Sequence, residues 1–180
     1  ANESSDFQVI MIIGIDSNRN IYVLDYMREH MPLYDMPEQI LEYAREYAPV
    51  KRVNVEHVGA QGIIKDAVNK MSGNERKVAP GIALGVRPPS GIKKEDRLES
   101  LLAPLVNRGK MHIKRSHTHL VDEMFQFPKG KNDDTLDGLW YAVNNARPPV
   151  SKRFDAIDFI ENRAIKPVKD GTKRVISWVT

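Results

Sequence analysis

Cysteine is absent from the 180 residues. That excludes disulfides, thiolate nucleophiles and cysteine-ligated zinc, and it fits a reducing compartment. Long apolar runs are absent too. The longest, Val9–Ile15 with one glycine, has the length of a strand, far short of the roughly 18–20 residues of a membrane span. The start, Ala1–Asp6, is polar and acidic, unlike the basic head of a secretory leader. No G-x-S-x-G occurs, which excludes the serine-hydrolase elbow. No G-x-x-x-x-G-K-[ST] occurs either, so the chain has no phosphate loop of its own with which to hydrolyse ATP. Gly59 and Gly62 do not complete a dinucleotide fingerprint.

What is present suits a globular domain. Hydrophobic residues make up 41% and charged residues 28%, enough for a real core and too balanced for a disordered chain. Lys and Arg number 27 against 24 Asp and Glu, and a net charge of this size does not identify a nucleic-acid binder. The distribution is uneven. From Arg147 to Thr180 there are eight basic and four acidic residues, so this end carries the positive charge while residues 1–146 hold most of the carboxylates.

Phe7–Ile15 and Ile21–Met27 flank the turn formers Asp16-Ser17-Asn18-Arg19-Asn20 and predict a hairpin covered on both faces. A helix is predicted between Pro37 and Pro49, with Ile40, Ala44 and Tyr47 on one stripe. Arg52–Glu56 reads as a buried strand, and Ile63, Ile64, Ala67, Val68 and Met71 mark a second helix. Val78–Val86 is a weaker strand pattern, broken by Pro80, Gly81 and Gly85. Leu98, Leu101, Leu102 and Leu105 give a third helix ending at Gly109, and Met111–Ile113 a short strand. His119–Phe125 and Asp133–Ala146 read as two further helices, the latter with Leu136, Leu139, Trp140 and Val143 on one stripe. Lys169-Asp170-Gly171-Thr172 suggests a small hairpin in the tail. Adjacent strands followed by strand–helix alternation predict an α/β fold, a mixed sheet flanked by helices.

Two groups of carboxylates could carry chemistry. Glu56 ends a strand, where ligand crevices of α/β sheets open; the alternative is a strand-end Glu that reaches solvent or pairs with a lysine. Asp133, Asp134 and Asp137 stand at i, i+1 and i+4. Such neighbours repel by about 0.2–0.5 kcal/mol per pair, a sign that a divalent cation reverses. The alternative is helix capping, since Asp at an N-cap or in the first turn offsets the dipole. Three in five residues exceed what a cap needs. Hard oxygen ligands favour Mg²⁺ or Mn²⁺, and a strand end with a helix start can hold two such ions for phosphodiester hydrolysis. Lys93, Lys94 and Arg97, with Lys129 and Lys131, are the basic candidates for phosphate contact; the alternative is a solvated charged face. His112, His117 and His119 look like a metal cluster at first, but without cysteine or a further patterned ligand they read better as surface histidines beside a basic turn.

Taken in order, these blocks resemble the C-terminal nuclease domain of the large terminase subunit of tailed phages, an RNase H-like fold. Gln8–Asp16 with Asn20–Asp25 is similar to that family's second and third strands. Val53-Asn54-Val55-Glu56 with Gly59 is similar to its strand carrying the second catalytic acid. Lys94-x-x-Arg97-Leu98 through Leu102-x-Pro104 and Gly109 resembles its next block. Glu123-x-x-x-Phe127-Pro128 with Asn132-Asp133-Asp134-Thr135-Leu136-Asp137 resembles its closing acidic motif.

The resemblance covers residues 6–146 and implies a nuclease domain over 1–146, with 147–180 a basic C-terminal tail. It implies Glu56, Asp133 and Asp134 as catalytic acids and Asp6 and Asp137 as further ligands of two Mg²⁺ or Mn²⁺ ions. It also implies double-stranded viral DNA as substrate, cut during genome packaging with little sequence preference. The implied setting is the cytoplasm of an infected host, with the portal protein, the small terminase subunit and an N-terminal ATPase motor as partners. The family's first catalytic Asp ends a central first strand that precedes the hairpin. That strand and that Asp are expected to be missing here, and Asp16, in the hairpin turn, is a poor substitute. Another RNase H-like nuclease of resolvase or transposase type, and a non-catalytic module that docks on DNA or the portal, are the alternatives.

Overall fold

The apolar run at the start of the chain becomes β1 (Gln8–Ile15), buried at all eight positions. A strand with no polar face needs cover on both sides, and the fold supplies it. A computed structural model describes residues 7–57, 62–144, 146–149 and 173–179, the last as backbone. In chain order the elements are β1, β2 (Ile21–Glu29), α1 (Met36–Glu46), β3 (Val50–Glu56), α2 (Gly62–Ser72), β4 (Ala83–Val86), α3 (Lys94–Asn107), β5 (Met111–His112), α4 (Thr118–Gln126), α5 (Asp134–Val143) and β6 (Lys173–Val179). This is the mixed sheet flanked by helices that the strand and helix patterns predict. No described helix is long and apolar enough to cross a membrane.

The sheet has six strands in the order β4-β3-β6-β1-β2-β5. β1 runs antiparallel to both β2 and β6, while β6 and β4 run parallel to β3. The even residues of β1, Ile10 and Ile12, pack with Val53 and Val55 of β3 against Met36, Ile40, Leu41 and Ala44 of α1 and Ile64 and Val68 of α2. The odd residues, Val9, Met11, Ile13 and Ile15, pack against Leu98 and Leu102 of α3, Leu120 of α4 and the apolar stripe of α5. Each fully buried side chain of this kind contributes about 1.5–3 kcal/mol. Opposite Ile12 and Ile13 the β2 register slips, so that Ile12 faces Asp25 and Ile13 faces Val23. This bulge passes over Leu24 and lets Leu24 and Met27, three apart, face the same layer.

The expectation for the tail is corrected here. The basic tail is not separate from the body. Residues 173–179 form a strand inside the sheet, between β3 and β1, and not part of a local hairpin; the suggested turn at 169–172 lies outside the described residues. β6 takes the middle of the sheet, and no described strand precedes the β1–β2 hairpin. Val175, Ile176, Trp178 and Val179 are β-branched or aromatic, the composition a buried strand needs. The surrounding lysines and arginines mask that signal.

The sheet has two distinct ends. At one, the β1–β2 turn is built on Asp16. Its Oδ1 accepts from the backbone N–H of Asn18 (2.9 Å) and Asn20 (2.8 Å), and its Oδ2 from the Asn20 amide (2.7 Å) and the Tyr22 hydroxyl (3.3 Å). Burial, then the Asp16 charge, push the Tyr22 hydroxyl up to about 12. Asp16 is therefore a turn residue, at the far end from the other acids. At the opposite end lie the last residues of β2, β3, β4 and β6 and the start of β1.

Candidate active site

β3 delivers Glu56 to the second end of the sheet, beside the end of β6, where Val55 pairs with Trp178. α5 delivers the aspartates. It lies on β1 and β6, and Asn54, buried in β3, donates from its amide to the α5 carbonyl of Tyr141 (2.7 Å). One face of α5 then presents Asp133, Asp137 and Tyr141 at i, i+4 and i+8, with Asp134 beside them. The Tyr141 hydroxyl donates to Glu56 Oε1 (3.0 Å), linking strand end and helix. Burial and then the charges of Glu56 and Asp137 raise the Tyr141 pKa, so the hydroxyl keeps its proton and remains a donor.

A cap bond does not account for Asp133, while Asp134 and Asp137 stand in the first turn, where their charge also offsets the helix dipole. Asp133 occupies the N-cap position of α5 but makes no side-chain cap bond. Glu123, reaching over from α4, does the capping. Its Oε2 accepts from the backbone N–H of Thr135 (2.9 Å) and Leu136 (3.0 Å), and the Thr135 hydroxyl also donates to it. Helix N-termini leave free N–H groups that need such acceptors. Burial pushes the Glu123 carboxyl up, and these bonds partly restrain it.

Three cations from two elements, α3 and β2, meet the aspartates. Lys94 of α3 places its ammonium 2.8 Å from Asp133 Oδ1 and 3.3 Å from Asp137 Oδ2. Arg97 donates to Asp137 Oδ1 at 2.7 Å and stacks its guanidinium 4.4 Å from the centre of the Trp140 ring. Arg28 of β2 lies 3.3 Å from Asp134 Oδ2 and 3.7 Å from Glu123 Oε1, with the Phe7 ring 3.4 Å over its guanidinium carbon. Burial raises the Asp137 carboxyl, with Lys94 and Arg97 opposing. Burial lowers the Lys94 ammonium, but the Asp137 and Asp133 carboxylates more than offset it and leave it raised.

Comparison with family models, curated proteins and solved structures yields no match. The functional reading therefore rests on the residues themselves.

Of the residues singled out in the sequence, the structure brings Glu56, Asp133, Asp134, Asp137, Lys94 and Arg97 to one end of the sheet. Asp6 lies outside the described residues. Lys93, Lys129 and Lys131 are exposed on the segments leading into α3 and α5. The histidines do not converge: His112 stacks on Tyr22, His117 meets Tyr26 edge-on, and His119 is exposed. Among the described residues no three His, Asp or Glu side chains are grouped to hold a metal ion. Pairs do converge. Asp133 and Asp137 already share one cation, the Lys94 ammonium, and they offer the hard oxygen donors that Mg²⁺ and Mn²⁺ require.

Three residues of this end were not singled out as functional: Arg28, Glu123 and Tyr141. Arg28 carried a faint signal, a charge two residues beyond Tyr26 on the same strand face. Glu123 sits beside the apolar Met124 and three residues after Leu120, where a lone buried carboxylate needs partners. Which partners those are depends on contacts 12 to 106 residues apart.

Proposed function

We propose that this chain is a metal-dependent endonuclease domain that cuts double-stranded viral DNA during genome packaging, of the RNase H-like kind found in large terminase subunits. One observation carries the reading. Glu56 at a strand end and Asp133, Asp134 and Asp137 at a helix start come to the same end of the sheet, while Glu123, and not Asp133, makes the cap bonds of α5. The sheet order adds support. β6, antiparallel to β1 and parallel to β3, stands in the central place where the resemblance expects a first strand. The first catalytic Asp has no counterpart among the described residues.

In this reading Glu56, Asp133, Asp134 and Asp137 hold Mg²⁺ or Mn²⁺, with Asp6 as a further ligand. The ions, when bound, lower the pKa of the attacking water and stabilise the leaving oxygen. The chain's own residues do the rest. Tyr141 fixes the Glu56 carboxylate through its hydrogen bond. Arg97, stacked on Trp140, fixes Asp137. Arg28 and Lys94 hold the other aspartates and supply positive charge for a phosphate. Lys93, Lys129 and Lys131, exposed nearby in sequence, are the outer phosphate contacts.

A second reading, a non-catalytic module docking on DNA or the portal, is favoured by one fact: Asp133, Asp134 and Asp137 are each ion-paired with a cation of the chain itself. Plasmid nicking in Mn²⁺, Mg²⁺ or EDTA decides between them, with Glu56→Ala and Asp134→Ala alongside. The nuclease reading expects metal-dependent nicking that both variants abolish. A folded protein that binds DNA but never nicks it, whatever the metal, supports docking.

A further inference from the structure

Between Glu99 and Asp122 the sequence has no acidic residue, yet it carries Arg108, Lys110, Lys114 and Arg115 with three histidines. The fold lays this segment along the open edge of β2. β5 pairs only with Ile21 and Tyr22. Beyond it, the Lys114 ammonium donates to the Leu24 carbonyl (2.8 Å) and His117 packs on Tyr26. The segment thus advances beside β2 toward Arg28, the residue that pairs with Asp134.

A polar cleft lies between the two, with Asp25, Arg28, Glu29, Lys114, His117 and His119 in its wall. His117 is only 6% exposed, and its Nδ1 has no hydrogen-bond partner among the described residues. The two carboxylates of the cleft are Asp25, whose oxygens accept from the Tyr47 hydroxyl and the Tyr26 N–H, each at 2.8 Å, and Glu29, which is exposed, so the excess of positive charge lies on the 108–119 segment and not in the wall itself. Ser116 and His119 are exposed in the wall, and Arg115, next to Lys114 in sequence, is exposed as well.

We infer that the basic segment bordering this cleft contacts the sugar–phosphate backbone of nucleic acid, with Lys114, Arg115 and His119 as phosphate ligands leading to Arg28 and the acids. The inference takes its direction from the nuclease reading but is measured without cleavage. Phosphate contacts release counterions, so each cation lost lowers the dependence of log affinity on log salt by about 0.9 for duplex DNA.

The test is fluorescence anisotropy of a labelled 20-base-pair duplex in EDTA over a range of NaCl. Arg115→Gln should bind less tightly and lose about one unit of salt slope. Arg115→Glu combined with His119→Ala should weaken binding by about tenfold or more. Lys77→Glu, exposed between α2 and β4 at the opposite edge of the sheet, makes the same charge change as a control and should have a smaller effect. Wild-type affinity and slope in the Arg115 variants would overturn the inference, as would an equal loss in Lys77→Glu. The two proposals fail separately. Nicking that persists with unaltered Arg115 binding removes the contact and keeps the nuclease. A binding loss in a protein that never nicks removes the nuclease and keeps the contact.

Discussion

The two ends of the sheet use carboxylates in opposite ways. At the hairpin end, Asp16 is satisfied by neutral donors two, four and six residues away, and its role is complete within the turn. At the other end, Asp133, Asp134 and Asp137 meet Lys94, Arg97 and Arg28, partners 39, 40 and 106 residues away. A carboxylate that serves the fold locally can be recognised from its neighbours. Carboxylates gathered by the fold keep their charge exposed to whatever cation the site presents.

The largest test of this contrast is Glu123→Ala. It strips the start of α5 of its acceptor and removes one of the two carboxylates facing Arg28. Breaking such a buried set costs about 3–5 kcal/mol, read as a lower midpoint in urea unfolding. Asp16→Ala comes next, at about 1–3 kcal/mol, because the 3%-exposed carboxylate leaves several donors unpaired. It should leave DNA binding and any metal response unchanged, and a loss of either would erase the distinction between the ends. Asp133→Ala should cost less than about 1 kcal/mol, since the residue at the N-cap position does not cap. A cost above that would mean Asp133 belongs with Asp16 as a structural acid.

The smallest effect is a pH dependence. Burial, then Lys114, lower the His117 pKa, so the folded protein keeps this ring neutral where the unfolded chain takes up a proton. Stability from His117 is therefore intact above the ordinary histidine range and is lost as pH falls through it. His117→Gln should flatten that part of the stability–pH curve.

Much of the fold was legible because its signals are local. The fully apolar β1, the α5 stripe and the turn formers around Asp16 each announce their element within ten residues. The pairing of a strand-end Glu56 with aspartates at a helix start was suggested by the chemistry of hard oxygen ligands, while the distance between them in the chain gave no sign that they share one end of the sheet. β6 was hidden because its charged surroundings dominate the composition, while its value lies in pairing with β1 and β3 far along the chain. Arg28 was hidden for the same reason, and Glu123, though quoted in the closing acidic motif, gave no sign of its capping and pairing role: a buried ion pair has no periodicity. The rejection of a histidine metal cluster agrees with His112 and His117 packing on different tyrosines, but the surface reading failed for His117, which is buried.

The place of β6 also sets the timetable of folding. Val9, near the start, pairs with Val179, so the middle of the sheet closes only after residues 173–179 have left the ribosome. Until then β1 and β3 each present an unpaired edge, the kind of surface on which nascent chains aggregate. Closing so long a loop delays the contacts that reward it. The hairpin and the α1–α2 layer can form early, while the junction between β3, β1 and α5, where the acids gather, is completed last. The candidate site is then a late product of folding, absent until residues 173–179 have been made.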